Sequence, residues 1–205
     1  MKIVNDIKSV IRNFILKNID RKHIKEYERL YGKFDRTNYN KYAVYNLSNE
    51  SGFYYGELVK WSRDLNPKCA LLVGESKNIA SVLKDRISAV EVLTTGLSNV
   101  DFIWNFEEDP PIIEKEIDLI ISQAIFEHLL NPYKHLQDLT NLIIDKGHII
   151  IHTEMPGFHY HRYPIDSVRF FPDWFEETAK RFELKIVQKR MKNTHIFYMY
   201  QKILQ

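Results

Sequence analysis

The sequence predicts an α/β protein with a mostly parallel central sheet that ends in an antiparallel hairpin. Short apolar runs alternate with helical patterns after Pro67, as in a sheet built from strand–helix–strand units. The clearest apolar run, Ile117–Ser122 (IDLIIS), has the composition of a strand that is buried on both faces. The last two predicted strands, Phe182–Lys189 and Thr194–Leu204, are separated only by a turn at Met191–Asn193 and therefore pair as a hairpin.

The first 64 residues have a different pattern, which predicts helices. Apolar residues recur at helical spacing from Ile3 to Ile15, and further helices are predicted over Arg21–Tyr31 and Tyr54–Asp64. We therefore divide the chain into an N-terminal helical extension or cap, residues 1–66, and an α/β domain, residues 67–205. The extension could pack on the sheet edge, form a homodimer interface, or cover a substrate pocket with tyrosines, namely Tyr39, Tyr42, Tyr45, Tyr54 and Tyr55.

The remaining elements of the α/β domain follow in alternation. The other predicted strands are 69–73 (CALLV), Ser88–Leu93, Val100–Trp104 and Gly147–His152, and the helices are Asn78–Arg86, Gln123–Leu130, Pro132–Ile144 and Pro172–Arg181. Ligands of such sheets bind beyond the carboxyl ends of the strands. Candidate functional residues are therefore those that follow each parallel strand.

Composition excludes several functional classes. The net charge of +2 in 205 residues gives no case for nucleic acid as a partner. No segment has the roughly 20 apolar residues that a membrane span needs. A single cysteine, Cys69, permits no internal disulfide and fits a reducing compartment. These observations predict a cytoplasmic protein.

The segment IDLIISQAIFEHLLNPYKHLQDLTNLIIDKGHIIIHTEMP resembles the class I S-adenosylmethionine-dependent methyltransferases. A strand is followed by Glu-His, Asn-Pro, an amphipathic helix, and a glycine turn into the next strand. The resemblance covers about Lys68–Leu204. It implies a Rossmann-like, seven-stranded methyltransferase sheet with S-adenosylmethionine as the cofactor.

The resemblance also implies which residues bind the cofactor. Gly74 would let the backbone approach the methionine part, and Asn105 and Phe106 would flank the adenine. Ser122 and Gln123 would lie beneath the sulfonium. The full predicted set is Gly74, Glu75, Ser76, Thr94, Asn105, Phe106, Ser122 and Gln123.

The cofactor motifs are degenerate. Leu72 stands where the family has an acidic residue before the loop, and Ser76 replaces the second loop glycine. The second strand ends without the carboxylate that accepts both ribose hydroxyls, and Thr94 can replace only part of that interaction. Glu75 is the alternative acid.

Histidines are the candidate general bases. Six of the eight lie between residues 128 and 161. His128, which follows the fourth strand, is the first choice because a hydroxyl acceptor must lose a proton and histidine titrates near neutral pH; His161 is the second choice. The alternative is that His128 only satisfies backbone groups at a helix start. Glu127 is adjacent to His128 in sequence, so on a helix its side chain would point in another direction. We therefore assign it a helix-positioning role.

The loop PGFHYHRYPIDSVRFFPDWF, residues 156–175, is the predicted acceptor site. Its sequence resembles that of a methyltransferase subgroup associated with modification of surface polysaccharides. Arg162 or Arg169 could hold a phosphate or carboxylate by two hydrogen bonds, although Arg169 could instead pair internally with Asp166. The substrate-binding set is His159, Tyr160, Arg162, Tyr163, Asp166 and Arg169.

Three functions remain open from the sequence. The leading hypothesis is methyl transfer to an oxygen of a small polar acceptor, such as a sugar or a phosphorylated precursor of a surface glycan. The second is a methyltransferase-like fold that lacks cofactor binding and acts as a binding or assembly partner. The third is a metal-dependent hydrolase, because His152-x-Glu154 and His159-x-His161 supply ligand types suited to zinc or iron; the spacing matches no established motif, and no metal is assigned.

Overall fold

The computed structural model describes residues 53–158, 165–192 and 194–204. Strands and helices alternate along these residues, with a short 3-10 turn at Phe126–His128. The helices are α1 (Phe53–Arg63), α2 (Lys77–Arg86), α3 (Pro132–Leu142) and α4 (Pro172–Arg181). The strands are β1 (Cys69–Val73), β2 (Glu91–Gly96), β3 (Phe102–Ile103), β4 (Ile117–Gln123), β5 (Ile143–Glu154), β6 (Leu184–Lys192) and β7 (His195–Lys202).

The seven strands form one sheet in the order β3-β2-β1-β4-β5-β7-β6. Strands β1 to β5 run parallel to one another, β7 is antiparallel to β5, and β6 pairs with β7 as a hairpin. The predicted seven-stranded, Rossmann-like sheet with its antiparallel C-terminal hairpin is thereby confirmed. Of the N-terminal extension, only the part from residue 53 onward is described; the predicted helices before it lie outside the described residues.

The sheet is covered on both faces, which explains why its central strands are apolar throughout. Tyr55 and Trp61 of α1 pack with α2 against Leu72 and Ile150 on one face. The helices α3 and α4 pack on the other face with Phe126. Burial on both faces gives β1 its unbroken apolar sequence, because every side chain of that strand meets a helix layer.

Several element boundaries differ from the sequence prediction. The β5 strand begins at Ile143 instead of Gly147, and β6 continues through Met191 and Lys192, where the turn was predicted.

Two further differences bear on the site. The β2 strand continues to Gly96 instead of ending at Leu93, so that Thr94 lies inside the strand. The predicted helix over Gln123–Leu130 is wrong: Gln123 is the last residue of β4, and only Phe126–His128 is helical. Thr94 belongs to β2 because it pairs with Leu72 of β1, and Gln123 belongs to β4 because it pairs with His152 of β5. Hydrophobic periodicity within one segment does not reveal such pairing.

Helix α1 joins the sheet through polar contacts as well as apolar ones. Glu57 forms an ion pair with Arg190 of β6, and the Tyr55 hydroxyl reaches the loop after β1. The region predicted as a separate extension therefore contributes one layer of the core. Within the parts of the chain that the structure describes, no helix is both long enough and apolar enough to cross a membrane.

Candidate active site at the carboxyl edge of the sheet

The carboxyl ends of the parallel strands meet at one edge of the sheet, which we call the carboxyl edge. It consists of the segments that follow β1, β2, β3, β4 and β5. Because β7 is antiparallel to β5, its first residue, His195, also lies there, opposite Glu154. The topology thus places the predicted site residues on neighbouring strands, as expected for an open α/β sheet.

The loop after β1 is shaped by Gly74. Its φ is +82°, and its N–H donates to the carbonyl of Thr95 at 2.8 Å. A Cβ placed on this glycine would lie 2.3 Å from Cδ1 of Ile125, which follows β4. The positive φ favours glycine at this position, and any larger residue would also displace the Ile125 side chain. That side chain occupies space over the loop that the sequence analysis assigned to a cofactor.

Two polar residues after Gly74 have contacts within the protein. Glu75 accepts a hydrogen bond from the Tyr55 hydroxyl at 2.6 Å, and burial raises the pKa of its carboxyl group. Ser76 is the N-cap of α2 and accepts from the N–H of Ile79 at 3.5 Å. The sequence therefore places an ordinary helix start here, with the carboxylate of Glu75 held by α1.

Thr94 is occupied by contacts within the protein. Its side chain is buried, and its hydroxyl donates to Oδ2 of Asp101 at 2.9 Å. The hydroxyl oxygen of Thr94 in turn accepts from the Asp101 N–H at 3.0 Å. Burial opposes ionisation of Asp101, but hydrogen bonds from Lys77 and Thr94 outweigh it and lower the pKa of this carboxyl group. Such contacts do not favour the prediction that Thr94 replaces a ribose-binding carboxylate.

Asn105 and Phe106 follow β3 as predicted. Asn105 is exposed, and its amide donates to Oε1 of Glu108 at 3.1 Å. The Phe106 ring packs against Trp104 and His135, with ring centroids 5.1 Å apart in both cases. The Phe106 ring thus belongs to an aromatic cluster, whereas the Asn105 amide lies at the surface.

Three hydroxyl or amide oxygens at the carboxyl edge are buried with no hydrogen-bond partner among the described residues. They are Oγ1 of Thr95, Oγ of Ser122 and Oε1 of Gln123. Thr95 and Ser122 flank Val73 from the two neighbouring strands, since both pair with it in register. Buried polar atoms without partners are costly, and they commonly mark a site for a ligand or water. Thr95 was not in the predicted cofactor set, in which Thr94 was chosen to replace the ribose carboxylate.

The turn after β4 brings together two side chains that the sequence analysis separated. Oε1 of Glu127 lies 3.9 Å from Nε2 of His128, and Nδ1 of His128 contacts the carbonyl oxygen of Ile165. Glu127 is fully buried; burial first, and the neighbouring charge of Glu154 second, raise the pKa of its carboxyl group to about 7. The interpretation of Glu127 as a helix-positioning residue that points away from His128 is wrong, because its carboxyl group lies beside the His128 imidazole and accepts a hydrogen bond from the Thr153 hydroxyl of β5.

Backbone hydrogen bonds join the segment that follows residue 164 to this turn. The N–H groups of Ser167 and Val168 donate to the carbonyl of Glu127 at 2.9 and 3.3 Å. Arg169 makes a two-pronged ion pair with Asp166, whose side chain is only 2% exposed. The internal pairing considered in the sequence analysis is therefore what the structure contains. It occupies the groups that would otherwise hold a phosphate. His159, Tyr160, His161, Arg162 and Tyr163 lie outside the described residues.

A buried polar cluster lies where β5 meets β7. His152 Nε2 is 3.2 Å from His195 Nδ1, which is 2.8 Å from Oε2 of Glu154. Burial lowers the pKa of both imidazoles, that of His195 to about 3, and raises the pKa of Glu154 well above its ordinary value. The sequence pointed to His152 and Glu154, but His195 was missed because it is 41 or more positions away in the chain.

Comparison with known proteins rests on the fold. No protein-family model matches the chain, and no curated protein matches it either. Among solved structures, it is similar to an S-adenosylmethionine-dependent methyltransferase from Aquifex aeolicus, with a TM-score of 0.57, 15% identity and coverage of 84% of this chain and 100% of that one. Another is an S-adenosylmethionine-dependent methyltransferase from Clostridium acetobutylicum, with a TM-score of 0.57, 11% identity and coverage of 91% and 100%.

A third similar structure is an O-methyltransferase family protein from Burkholderia thailandensis, with a TM-score of 0.53 and 10% identity. The match covers 73% of this chain and 58% of that one. At such low identities the likeness concerns the path of the backbone and not the chemistry of individual side chains. The chain described here has the Rossmann-like fold of the class I methyltransferases.

Proposed function

We propose that the protein is an S-adenosylmethionine-dependent methyltransferase that acts at the carboxyl edge on an oxygen of a small polar acceptor. The observation that carries this proposal is the group of unpartnered, buried oxygens on Thr95, Ser122 and Gln123, at the edge where this fold class binds ligands. A polar ligand over β1 and β4 would satisfy these atoms.

The residues present fit the cofactor in part. Ser122 and Gln123 would hold its polar groups, and Asn105 with Phe106 would hold the adenine, since they combine an exposed amide with an aromatic face. Bound S-adenosylmethionine would supply an electrophilic methyl group on a sulfonium. The end of β2 and the residues directly after it, from Thr95 to Ser98, include no carboxylate for the ribose. We therefore expect weaker binding than such a carboxylate would give.

His128 is the proposed general base. Its contact with the Ile165 carbonyl is made through Nδ1, so the Nδ1–H tautomer leaves the lone pair on Nε2. The buried Glu127 carboxyl group, 3.9 Å from Nε2, can stabilise the imidazolium that forms when the acceptor hydroxyl loses its proton. The hydrogen bonds from Ser167 and Val168 to Glu127 hold the turn in place.

The acceptor class rests on the loop that follows β5. A sugar, or a phosphorylated precursor of a surface glycan, fits the combination of histidines, tyrosines and arginines that the sequence has between residues 159 and 169. Among the similar structures, the O-methyltransferase family protein supports oxygen as the methylated atom.

Calorimetric titration with S-adenosylmethionine and with its demethylated product tests the proposal. Micromolar binding that weakens at least about tenfold in Ser122→Ala would support it, because the variant removes an oxygen aimed at the ligand. The matched control is Ser81→Ala on α2, which should bind as the wild type does, because Ser81 Oγ bonds its own helix at the Asn78 carbonyl. Absence of binding at millimolar ligand would reject the enzyme function.

Turnover measured with sugar and sugar-phosphate acceptors tests the base. His128→Ala should lower turnover by about 10² or more while cofactor affinity stays within about threefold. His148→Ala, in the middle of β5, is the control and should retain activity. Unchanged turnover in His128→Ala would remove the assignment of His128 but leave the cofactor site standing.

A second candidate function is a binding or assembly partner that has lost the cofactor. The packing of Ile125 over Gly74, together with the occupied hydroxyl of Thr94, favours it. The same titration separates the two functions, because this candidate requires that neither form of the cofactor binds.

A further inference from the structure

The cluster of His152, Glu154 and His195 has the layout of a ligand set. His152 and Glu154 are alternate residues of β5 and therefore project from the same face of the sheet. His195 is the cross-strand partner of Glu154 on β7, so its side chain projects from that face as well. Pairing of the two strands thus brings three metal-binding side chains to one point.

The separations between the ligand atoms agree with coordination to one ion. Zinc–nitrogen distances of about 2.0–2.1 Å in a tetrahedral site place neighbouring ligand atoms about 3.3 Å apart. His152 Nε2 and His195 Nδ1 are 3.2 Å apart, and His195 Nδ1 and Glu154 Oε2 are 2.8 Å apart. One ligand atom from each of the three residues lies within 4.8 Å of the other two.

A single imidazole nitrogen is the meeting point of these groups. Nδ1 of His195 faces both Nε2 of His152 and Oε2 of Glu154. A nitrogen of this kind carries either one proton or one lone pair, so it cannot make a full hydrogen bond of opposite polarity to each neighbour. A cation between the three atoms would accept a lone pair from each of them.

We propose that His152, Glu154 and His195 bind one divalent transition-metal ion, with zinc as the best fit. Two imidazoles and one carboxylate favour zinc over magnesium or calcium, which prefer oxygen ligands alone. All three residues are at most 3% exposed, so the site is closed to bulk water. The ion would tie β5 to β7 at the carboxyl edge, and this role does not depend on methyl transfer.

Gln123 supplies the next contact. It is the register partner of His152 on β4, and its buried Oε1 has no partner among the described residues. When no cofactor is bound, a water on the ion would donate a hydrogen bond to this oxygen. The His152 ring is held by stacking on Phe197, with ring centroids 4.5 Å apart.

The test uses the full, tag-free chain, stripped with a chelator and dialysed. Titration with zinc chloride should show one ion bound per chain and a rise in the midpoint of thermal unfolding, and magnesium chloride at the same concentration should show neither. Elemental analysis of the dialysed complex should retain the zinc. The absence of both zinc binding and a shift in the midpoint would overturn the proposal.

Variants locate the ion. Glu154→Gln keeps the shape of the side chain but loses its charge, and it should weaken zinc binding by at least about 10²-fold. The matched control His148→Gln removes a half-buried histidine in the middle of β5 and should bind zinc as the wild type does. Equal binding by wild type and Glu154→Gln would place the ion elsewhere and reject the site.

Cobalt substitution of the wild type keeps the proposal testable if Glu154→Gln fails to fold. Intense visible absorption, typical of four-coordinate cobalt, would support the site. Only the weak bands of six-coordinate cobalt would overturn it.

Discussion

Glu127 and His128 are consecutive residues whose side chains converge: Oε1 of Glu127 lies 3.9 Å from Nε2 of His128. The two residues belong to the 3-10 turn Phe126–His128, in which consecutive side chains leave the backbone about 120° apart, so the approach is made by the ends of the two side chains. Oε2 of Glu127 also accepts a hydrogen bond from the Thr153 hydroxyl of β5 at 2.5 Å. The carboxyl group is thus enclosed between two neighbouring strand ends, next to the proposed base.

The buried carboxyl group of Glu127 should make stability depend on pH. Its pKa is raised from 4.5 to about 7, chiefly by burial, so the folded state binds more protons than the unfolded state between these values. Stability from this group is complete below the unfolded pKa and is lost as pH rises through about 7. Glu127→Gln should therefore lose less stability than the wild type between about pH 5 and about pH 8, as measured by urea unfolding. An identical loss in both proteins would contradict the burial of an ionisable group at this position.

His135 should make stability depend on pH in the opposite direction, so that the protein becomes less stable on acidification. Its ring packs among Trp104, Phe106 and Phe126, and burial, assisted by the charge of Lys134, lowers its pKa to about 3. The unfolded state therefore binds more protons between about pH 6.5 and about pH 3, and stability falls as pH drops through this window. The contribution is about 2 kcal/mol at about pH 5, because each pKa unit corresponds to about 1.4 kcal/mol.

His135→Phe should abolish that loss, and urea unfolding at about pH 7.5 and about pH 5 measures it. The control is Leu136→Val on the same helix, which removes one buried methylene and adds no titratable group. This control should lower stability by about 1 kcal/mol at both pH values. If His135→Phe were as sensitive to acid as the wild type, the neutral, buried state of His135 would be excluded.

Gly74→Ala should destabilise the protein by about 2–4 kcal/mol. About 1–2 kcal/mol arises from a positive φ at a residue with a side chain, and the rest from contact of the new Cβ with Ile125. Gly96→Ala is the matched control: the nearest atom to its Cβ would be 3.5 Å away, so the change should cost about 1 kcal/mol or less.

The double variant Gly74→Ala, Ile125→Val separates the two causes. It should recover the part of the loss due to the contact and keep the part due to backbone strain, which appears as an interaction energy in a double-mutant cycle. Strict additivity of the two substitutions in urea unfolding would show that Ile125 does not pack against Gly74.

Local pattern was sufficient for the elements with strong periodicity. The apolar run of β1 and the Asn131–Pro132 start of α3 are both present as predicted, with Asn131 accepting from the Lys134 N–H at 3.1 Å. Strand ends were less predictable. Thr94 and Gln123 remain in the sheet because a neighbouring strand pairs with them, and such pairing is not encoded within a short window of sequence.

The candidate site divides in the same way. By itself, the sequence determined the α/β class, a mostly parallel sheet with a closing hairpin, and the segments that reach the carboxyl edge, because hydrophobic period and turn residues are local properties. Only the tertiary structure decided that Glu127 lies beside His128, that Ile125 fills the space over Gly74, and that His195 joins His152 and Glu154. The reason is physical: these contacts depend on backbone turns and on pairing between strands far apart in the chain, and the burial that results sets the protonation of each group.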